Sequence, residues 1–499
     1  MKRILYFLII PFLISCQDEK SYDSEISNND YSEVIVSGTI ENRPINDTIN
    51  TFKIYINNLL GDEQFKVETI SIEDSGEFRT SLLLNNPQTI TLAYKAVEFN
   101  LILKPSDSVN IIFKDNYDTK KDVFTDAKLS GSLAALNKEL FTFLASRELN
   151  MRTYYNKLKD LNPDSYKTFY DSIFGADANN IDRFLAENNV SQTLKDWLFV
   201  EKHYVPVDNL LGFPLYYEMF HPEASKTVQY NDSFFSNLER LPELKASHLV
   251  NSKINSIGNY LRFHYSKKLS PKGVKTEIKK LDSLVIRELK QDFNSNKLLL
   301  QLAVYDIINY SFENNNLDFL TNEKDFIENL YTNSIFENII NTRTETIKLL
   351  VKNPEIPKNA ELLEFNYDTA EAFIEDITRT SDKKIIYIDN WAVWCSPCRS
   401  EFKEATPQLK KEFSDSVEFI YICHKSDETL WKPMIAQYKL EGKHYFVTEK
   451  QNLMLTKYLD ITGFPNYNIF DKNGKMLYGG FEYRPSEPIT KELLNKLTK

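Results

Sequence analysis

Ile385-Ile386-Tyr387-Ile388-Asp389-Asn390-Trp391-Ala392-Val393-Trp394-Cys395-Ser396-Pro397-Cys398-Arg399 decides how the C-terminal part of this chain folds. Its first half is a β-rich apolar run. From Pro397 to Phe413 the pattern is helical, so the two cysteines sit where a strand turns into a helix. Two intervening residues bring both thiols into one helical turn, within disulfide reach. Cys395 falls at the helix N-terminus, where unpaired N–H groups and the dipole favour a thiolate. Lowering a thiol pKa from about 8.5 to about 7 corresponds to about 2 kcal/mol of thiolate stabilisation. Cys398 lies one turn further in, buried and slower to ionise, so one cysteine can attack and the other resolve. Half of a zinc site and a structural disulfide share this spacing. Zinc needs a second ligand pair, and only Cys423 with adjacent His424 remains. The six histidines are scattered without metal-ligand spacing, and no nicotinamide or flavin fingerprint occurs. Neither a metal nor another cofactor is expected.

Around this stretch, strands and helices alternate, as in an α/β domain. Lys352-Asn353-Pro354-Glu355-Ile356-Pro357 reads as a linker, which places the domain at 358–499. Val417–Cys423 and Tyr445–Val447 read as strands, Thr429–Tyr438 and Asn452–Leu459 as helices. Asn466–Asp471 and Lys475–Tyr478 form a hairpin about Lys472-Asn473-Gly474, and Ile489–Leu497 is a closing helix. Cys423, on an apolar strand, reads as a small buried hydrophobe.

The motif Trp394-Cys395-Ser396-Pro397-Cys398, with Asp389 six residues before Cys395 and Thr462-Gly463-Phe464-Pro465-Asn466-Tyr467 about seventy downstream, resembles the thioredoxin-like domain of TlpA/ResA-type disulfide reductases. The resemblance covers Lys384 to about Gly480. It implies that Asp389 is the family's buried acid, with a raised pKa, able to accept the Cys398 proton. It also implies that Phe464-Pro465 is the cis-proline loop facing the cysteines. The Phe464 backbone would then pair with an extended substrate chain, and Trp394 and Phe464 would line the groove. Arg399 would add positive charge beside the thiolate. Two departures concern tuning: Asn390 stands where an aromatic is usual, and Pro407 lies further past the second cysteine than the family's helix proline. The implied activity is reduction of disulfide-containing protein substrates, recharged by an upstream thiol electron donor. A thioredoxin fold serving only as the scaffold of a binding lipoprotein is the alternative, and a peroxidase a weaker one.

The N-terminus bears on location. Met1-Lys2-Arg3 precedes the apolar run Ile4–Ile14, which spans only about 16 Å as a helix and so reads as a signal-peptide core over 1–15. Leu13-Ile14-Ser15-Cys16 resembles a bacterial lipobox, which implies lipidation of Cys16; a plain secretory signal is the alternative. Residues 16–32 read as a polar tether. The acidic pair Asp18-Glu19 resembles the export signal of Bacteroidetes lipoproteins, so the expected place is the cell envelope, bound to the membrane by lipid.

Between tether and linker the pattern changes once. Over 33–131 seven short runs with a period near two suggest a β-sandwich; the turn Asp74-Ser75-Gly76 within it resembles the β-domain that precedes thioredoxin modules in Bacteroidetes envelope proteins. Over 132–357 the period moves toward 3.6, with stripes at Leu133–Leu144, Ile254–Phe263, Ile278–Leu289, Leu298–Ile308 and Ile335–Leu350, an all-α region. The 499 residues, 42% hydrophobic and 26% charged, exclude wholesale disorder and a multi-span membrane protein. Net charge is −11, without a basic stripe interleaved with aromatics, so nucleic acid is not an expected partner.

Overall fold

The structure is a computed structural model describing residues 31–44, 47–60, 65–95, 97–117, 119–230, 232–269 and 278–499. Cys16, the signal segment and nearly all of the tether lie outside these residues.

The N-terminal region is two four-stranded sheets. One has the order β4 (Glu77–Leu84), β1 (Ser32–Glu41), β7 (Ser108–Lys114), β8 (Lys128–Ser130). The other has the order β3 (Phe65–Ser71), β2 (Thr51–Asn57), β5 (Gln88–Tyr94), β6 (Val97–Leu103). Alternation decides the faces: Val34, Val36 and Phe78 of the first sheet and Phe52, Ile54 and Leu92 of the second share one core. The Phe52 and Phe78 rings meet edge-on across it at 4.7 Å. Gly38 of β1 is obligatory, because a Cβ there would lie 1.9 Å from the Ile111 carbonyl oxygen. The seven expected strands are present. The short β8 and the helix Lys120–Asp126, whose Asp122 carboxylate accepts the Thr119 N–H at 2.9 Å, add to them.

Helices Ala134–Ser146, Pro163–Glu187, Gln192–His203, Val205–Phe220, Ile257–Leu269, Ile278–Phe293, Lys297–Glu313 and Glu337–Lys352 are the main ones of the central region. The stripe expected over Ile254–Phe263 is not one helix: Asn251 caps a 3-10 turn, Ser252–Ser256, before the α-helix starts at Ile257. Leu140, Phe143, Leu194, Trp197 and Val250 pack into the sandwich's own core. Thr89 of β5 ties the two together, donating to the Val250 carbonyl and accepting from Trp197 Nε1, both at 2.8 Å. Nearby, buried Arg147 bonds Asp177 at 2.5 Å and Glu201 at 2.7 Å.

By compactness the chain divides in two. One unit holds the described residues to Asp306 with Leu330–Ile339; the other holds Ile307–Asn329 with Ile340–Lys499. The second contains a six-stranded sheet ordered β14 (Met476–Gly480), β13 (Asn466–Asp471), β10 (Ile385–Trp391), β11 (Val417–Cys423), β12 (Gly442–Phe446), β9 (Ala360–Leu363). β10, β11, β12 and β9 are parallel neighbours, while β13 runs antiparallel to β10 and β14 antiparallel to β13. All seven residues of β10 are buried, as a central strand covered on both faces requires. β9 and helix Ala370–Thr380 join the elements the sequence pattern indicated. The helix expected over Pro397–Phe413 is two helices, Ser396–Glu404 and Thr406–Phe413. They break at Ala405 because Pro407, which cannot donate to a continuous ladder, falls in the first turn of the second.

Candidate active site

β10 delivers the chain to the N-terminus of helix Ser396–Glu404, and Cys395 is that helix's N-cap, its Sγ accepting the Cys398 N–H at 3.2 Å. Pro397 stands in the first turn, where its missing donor costs nothing. Cys395 and Cys398 are joined as a disulfide with Cα atoms 5.3 Å apart, and both are buried. Cys423 is a free, buried thiol whose pKa burial pushes up to about 12.

Trp394 stays 48% exposed, which leaves a large ring beside the disulfide open to a partner. Its Nε1 donates to the Lys425 carbonyl at 2.8 Å, and its ring meets Phe464 edge-on at 6.0 Å. The Phe464–Pro465 bond is cis; Phe464 is partly exposed and Pro465 buried. The loop borders a cleft of about 490 Å³, with Asp460, Gly463, Phe481 and Glu482 among its other walls.

Asp389 is 1% exposed and lies on the β10 face that also carries Tyr387 and Trp391, whose ring packs on Phe402 of the cysteine-bearing helix. Directly across the sheet Asp389 pairs with Tyr421 on one side and Tyr467 on the other. Neither carboxyl oxygen has a hydrogen-bond partner, nor do the Tyr421 and Tyr467 hydroxyls. Burial first, then the nearby Glu401 carboxylate, holds the Asp389 pKa well above the usual carboxylate range. Glu401 is itself bound by the Ser486 N–H at 2.9 Å and the Ser486 hydroxyl at 2.6 Å.

The opposite face of β10 carries a polar network that sequence reasoning did not foresee. Asn390 Nδ2 donates to the Asn466 carbonyl at 3.1 Å and to Asn468 Oδ1 at 2.8 Å, so Asn390 Oδ1 is the atom that meets His424 Nε2 at 3.1 Å. Burial pushes the His424 pKa down to about 4, which keeps the ring neutral at pH 7. On the other side of the ring Nδ1 lies 3.1 Å from Asn452 Oδ1. The imidazole also stacks on Phe464 at 5.2 Å, so the network supports the loop that holds Pro465. Asn466 and Asn468, two apart on a buried strand, were the legible signal, since strand alternation puts both amides on one face.

Arg399 does not stand free beside the cysteines as expected. It is 4% exposed and spends its guanidinium on the Val393 carbonyl at 2.9 Å, Asn314 Oδ1 at 3.0 Å and Glu313 Oε2 at 3.1 Å. Among the described residues no three His, Cys, Asp or Glu side chains converge as a metal site. Nor is any described helix long and apolar enough to cross a membrane.

Thus the structure gathers Asp389, Trp394, Cys395, Cys398, Phe464 and Pro465 within one compact unit, while Cys16 lies outside the described residues. Residues 382–476 match the thioredoxin-like family model. The C-terminal domain is therefore thioredoxin-like, with a Cys395–Cys398 pair at its strand–helix turn. No curated protein matches the chain significantly. Among solved structures it is similar to a candidate thiol-disulfide oxidoreductase of Bacteroides vulgatus, with 29% identity over 23% of this chain and 73% of that one, TM-score 0.21. A thiol:disulfide interchange protein of a Bacteroides species shares 22% identity over 25% of this chain and 74% of that one, TM-score 0.21. A thioredoxin-like protein of Bacteroides caccae shares 12% over 59% of this chain and 93% of that one, TM-score 0.20.

Proposed function

We propose that the chain is an envelope thiol–disulfide oxidoreductase that reduces protein disulfides through Cys395 and Cys398. The observation that carries this reading is the setting of Cys395: the N-cap of a helix, bonded to a buried Cys398 and flanked by the half-exposed Trp394. In the dithiol form the Cys395 thiolate attacks one sulfur of a substrate disulfide. The other substrate sulfur leaves as a thiolate and takes a proton. Cys398, giving its proton to Asp389, attacks the Cys395 sulfur and expels the second substrate thiolate. Two electrons have passed to the substrate, and the pair is left as a disulfide. A dithiol protein donor in the envelope returns the electrons; as Cys398 leaves in that step, the proton held on Asp389 goes back to it. Phe464 and Trp394 flank the path of the incoming polypeptide.

Reduction of insulin disulfides by the full chain, with dithiothreitol as donor, tests the reading. Cys395→Ser abolishes turnover, and Cys398→Ala accumulates a mixed disulfide with the substrate. Equilibration with glutathione gives the direction: a potential near thioredoxin's, about −270 mV, supports a reductase, and one near −120 mV overturns it. Anchoring through Cys16 belongs to the same proposal. It is tested by incorporation of labelled fatty acid, which Cys16→Ala removes.

A further inference from the structure

Helix Lys297–Glu313 runs into the turn Glu313-Asn314-Asn315-Asn316, which precedes the family match by more than sixty residues. Three of these four side chains bond helices of the thioredoxin-like domain, Ser396–Glu404 and Glu428–Gln437. Glu313 and Asn314 take the two ends of Arg399, the residue after Cys398. Asn315, at φ 53° in the left-handed region that asparagine tolerates, donates to Gln437 Oε1 at 2.7 Å. Arg399 in turn donates to the Val393 carbonyl, two residues before Cys395, and its own N–H bonds the Cys395 carbonyl at 3.2 Å. A fixed positive charge therefore sits against the loop presenting the nucleophile, with its counter-charge supplied from another part of the chain.

We propose that Glu313 is a positioning residue that sets the redox poise of the Cys395–Cys398 pair through Arg399. The proposal rests on that pair being the reactive one. The physical argument is one of sign. A guanidinium near Cys395 stabilises its thiolate, and the Glu313 carboxylate cancels part of that field. Removing Glu313 leaves Arg399 uncompensated, favours the thiolate and makes the pair more oxidising. Removing Arg399 leaves a carboxylate facing the loop, disfavours the thiolate and makes the pair more reducing. If the clamp merely held the loop in place, both losses would loosen it and move the pair in one direction. The other titratable groups around the site do not reverse the signs. Tyr438 bonds Arg399 as a neutral phenol whose pKa burial raises. Asp389 and Lys425 are common to every variant compared, Glu401 is taken by Ser486 and Arg484, His424 is neutral and Cys423 is a buried thiol.

The test is the pH profile of iodoacetamide alkylation in the reduced full chain, read on the Cys395 peptide by mass spectrometry, so that the other cysteines do not contribute. Because Glu313 is 44% exposed and screened, each effect is about threefold in the ionisation constant. Glu313→Gln moves the midpoint to lower pH and Arg399→Gln to higher pH, while Arg399→Lys, which keeps the charge, stays below Arg399→Gln. Against glutathione a threefold change reads as about 15 mV, at about 30 mV per tenfold. Midpoints that move in the same direction for Glu313→Gln and Arg399→Gln overturn the proposal. So does equality of Arg399→Lys with Arg399→Gln, which also serves should Glu313→Gln fail to fold. Alkylation needs no disulfide substrate, so a chain inactive on insulin would refute the proposed function and still give these midpoints.

Discussion

Asp389→Asn gives the clearest reading of the energetics under the disulfide. The carboxyl is buried, has no hydrogen-bond partner and faces a carboxylate neighbour, so the folded chain keeps its proton to a higher pH than the unfolded chain does. The sign follows directly. Between about pH 3.9, where an unfolded aspartate ionises, and the raised folded value, the folded state holds one proton more than the unfolded state, so stability falls as pH rises. One linked proton corresponds to about 1.4 kcal/mol per pH unit, or tenfold in the constant for any opening that exposes Asp389. Asparagine has nearly the same shape and no titration. Amide hydrogen exchange over Ile386–Trp391, followed by mass spectrometry in the oxidised protein, isolates the effect. Taken as a ratio of wild type to Asp389→Asn at each pH, it cancels the intrinsic pH dependence of exchange and every other titrating group. The ratio should climb about tenfold per pH unit within the window. A ratio flat from pH 4.5 to 7.5 would refute the reasoning, because Asp389 would then be ionised in the folded protein without penalty.

Further outcomes follow from other buried groups. His424→Ala takes the ring partner from Asn390 Oδ1 and Asn452 Oδ1 and removes the ring stacked on Phe464, at a cost of about 2–4 kcal/mol read from urea unfolding. In the wild type His424 contributes stability that is complete above about pH 6.5 and is lost toward the folded value of about 4, at about 1.4 kcal/mol per pH unit; the ratio of exchange over Val417–Cys423 in the wild type to that in the variant should climb about tenfold per pH unit as pH falls through this window. Arg147→Met strands the buried Asp177 carboxylate and leaves Glu201 to Lys253 and Asn251, and costs about 3–5 kcal/mol by the same unfolding assay. Burial works against Glu201 ionisation, but Lys253 and Arg147 hold its pKa down to about 2, so in the wild type this contribution fades only as pH falls from about 4.3 toward 2. Thr89→Val deprives Trp197 Nε1 of its acceptor and costs about 1–3 kcal/mol in thermal unfolding.

What the sequence shows of this fold is what short-range chemistry specifies. The CxxC spacing, the Phe464-Pro465 pair and the alternating runs of the sandwich each carry their meaning within a few residues. β9 is different: Ala360–Leu363 has four residues and no clean alternation, and it is a strand because β12, about eighty residues on, pairs with it. Helix Ala370–Thr380 does carry a stripe at Phe373, Ile374 and Ile377 behind a Thr369 cap, but it precedes Lys384, where the strand–helix alternation becomes recognisable. Asn390 is visible as a departure from the family pattern, yet its purpose needs His424 and Asn468, which only the sheet brings to it. Arg399 is the sharper case. Its position after Cys398 suggests a free charge, and only a contact 86 residues away in sequence reveals a paired one.

The core shared by the sandwich and the helices behind it constrains how such a chain can be rearranged by recombination. A crossover near residue 131, where strands give way to helices, would sever Leu140, Phe143, Trp197 and Val250 from the sheet residues they cover, and Thr89 from both of its partners. The sandwich can be inherited intact only together with the chain to about Val250. Insertions and deletions are absorbed instead in loops that carry none of these contacts.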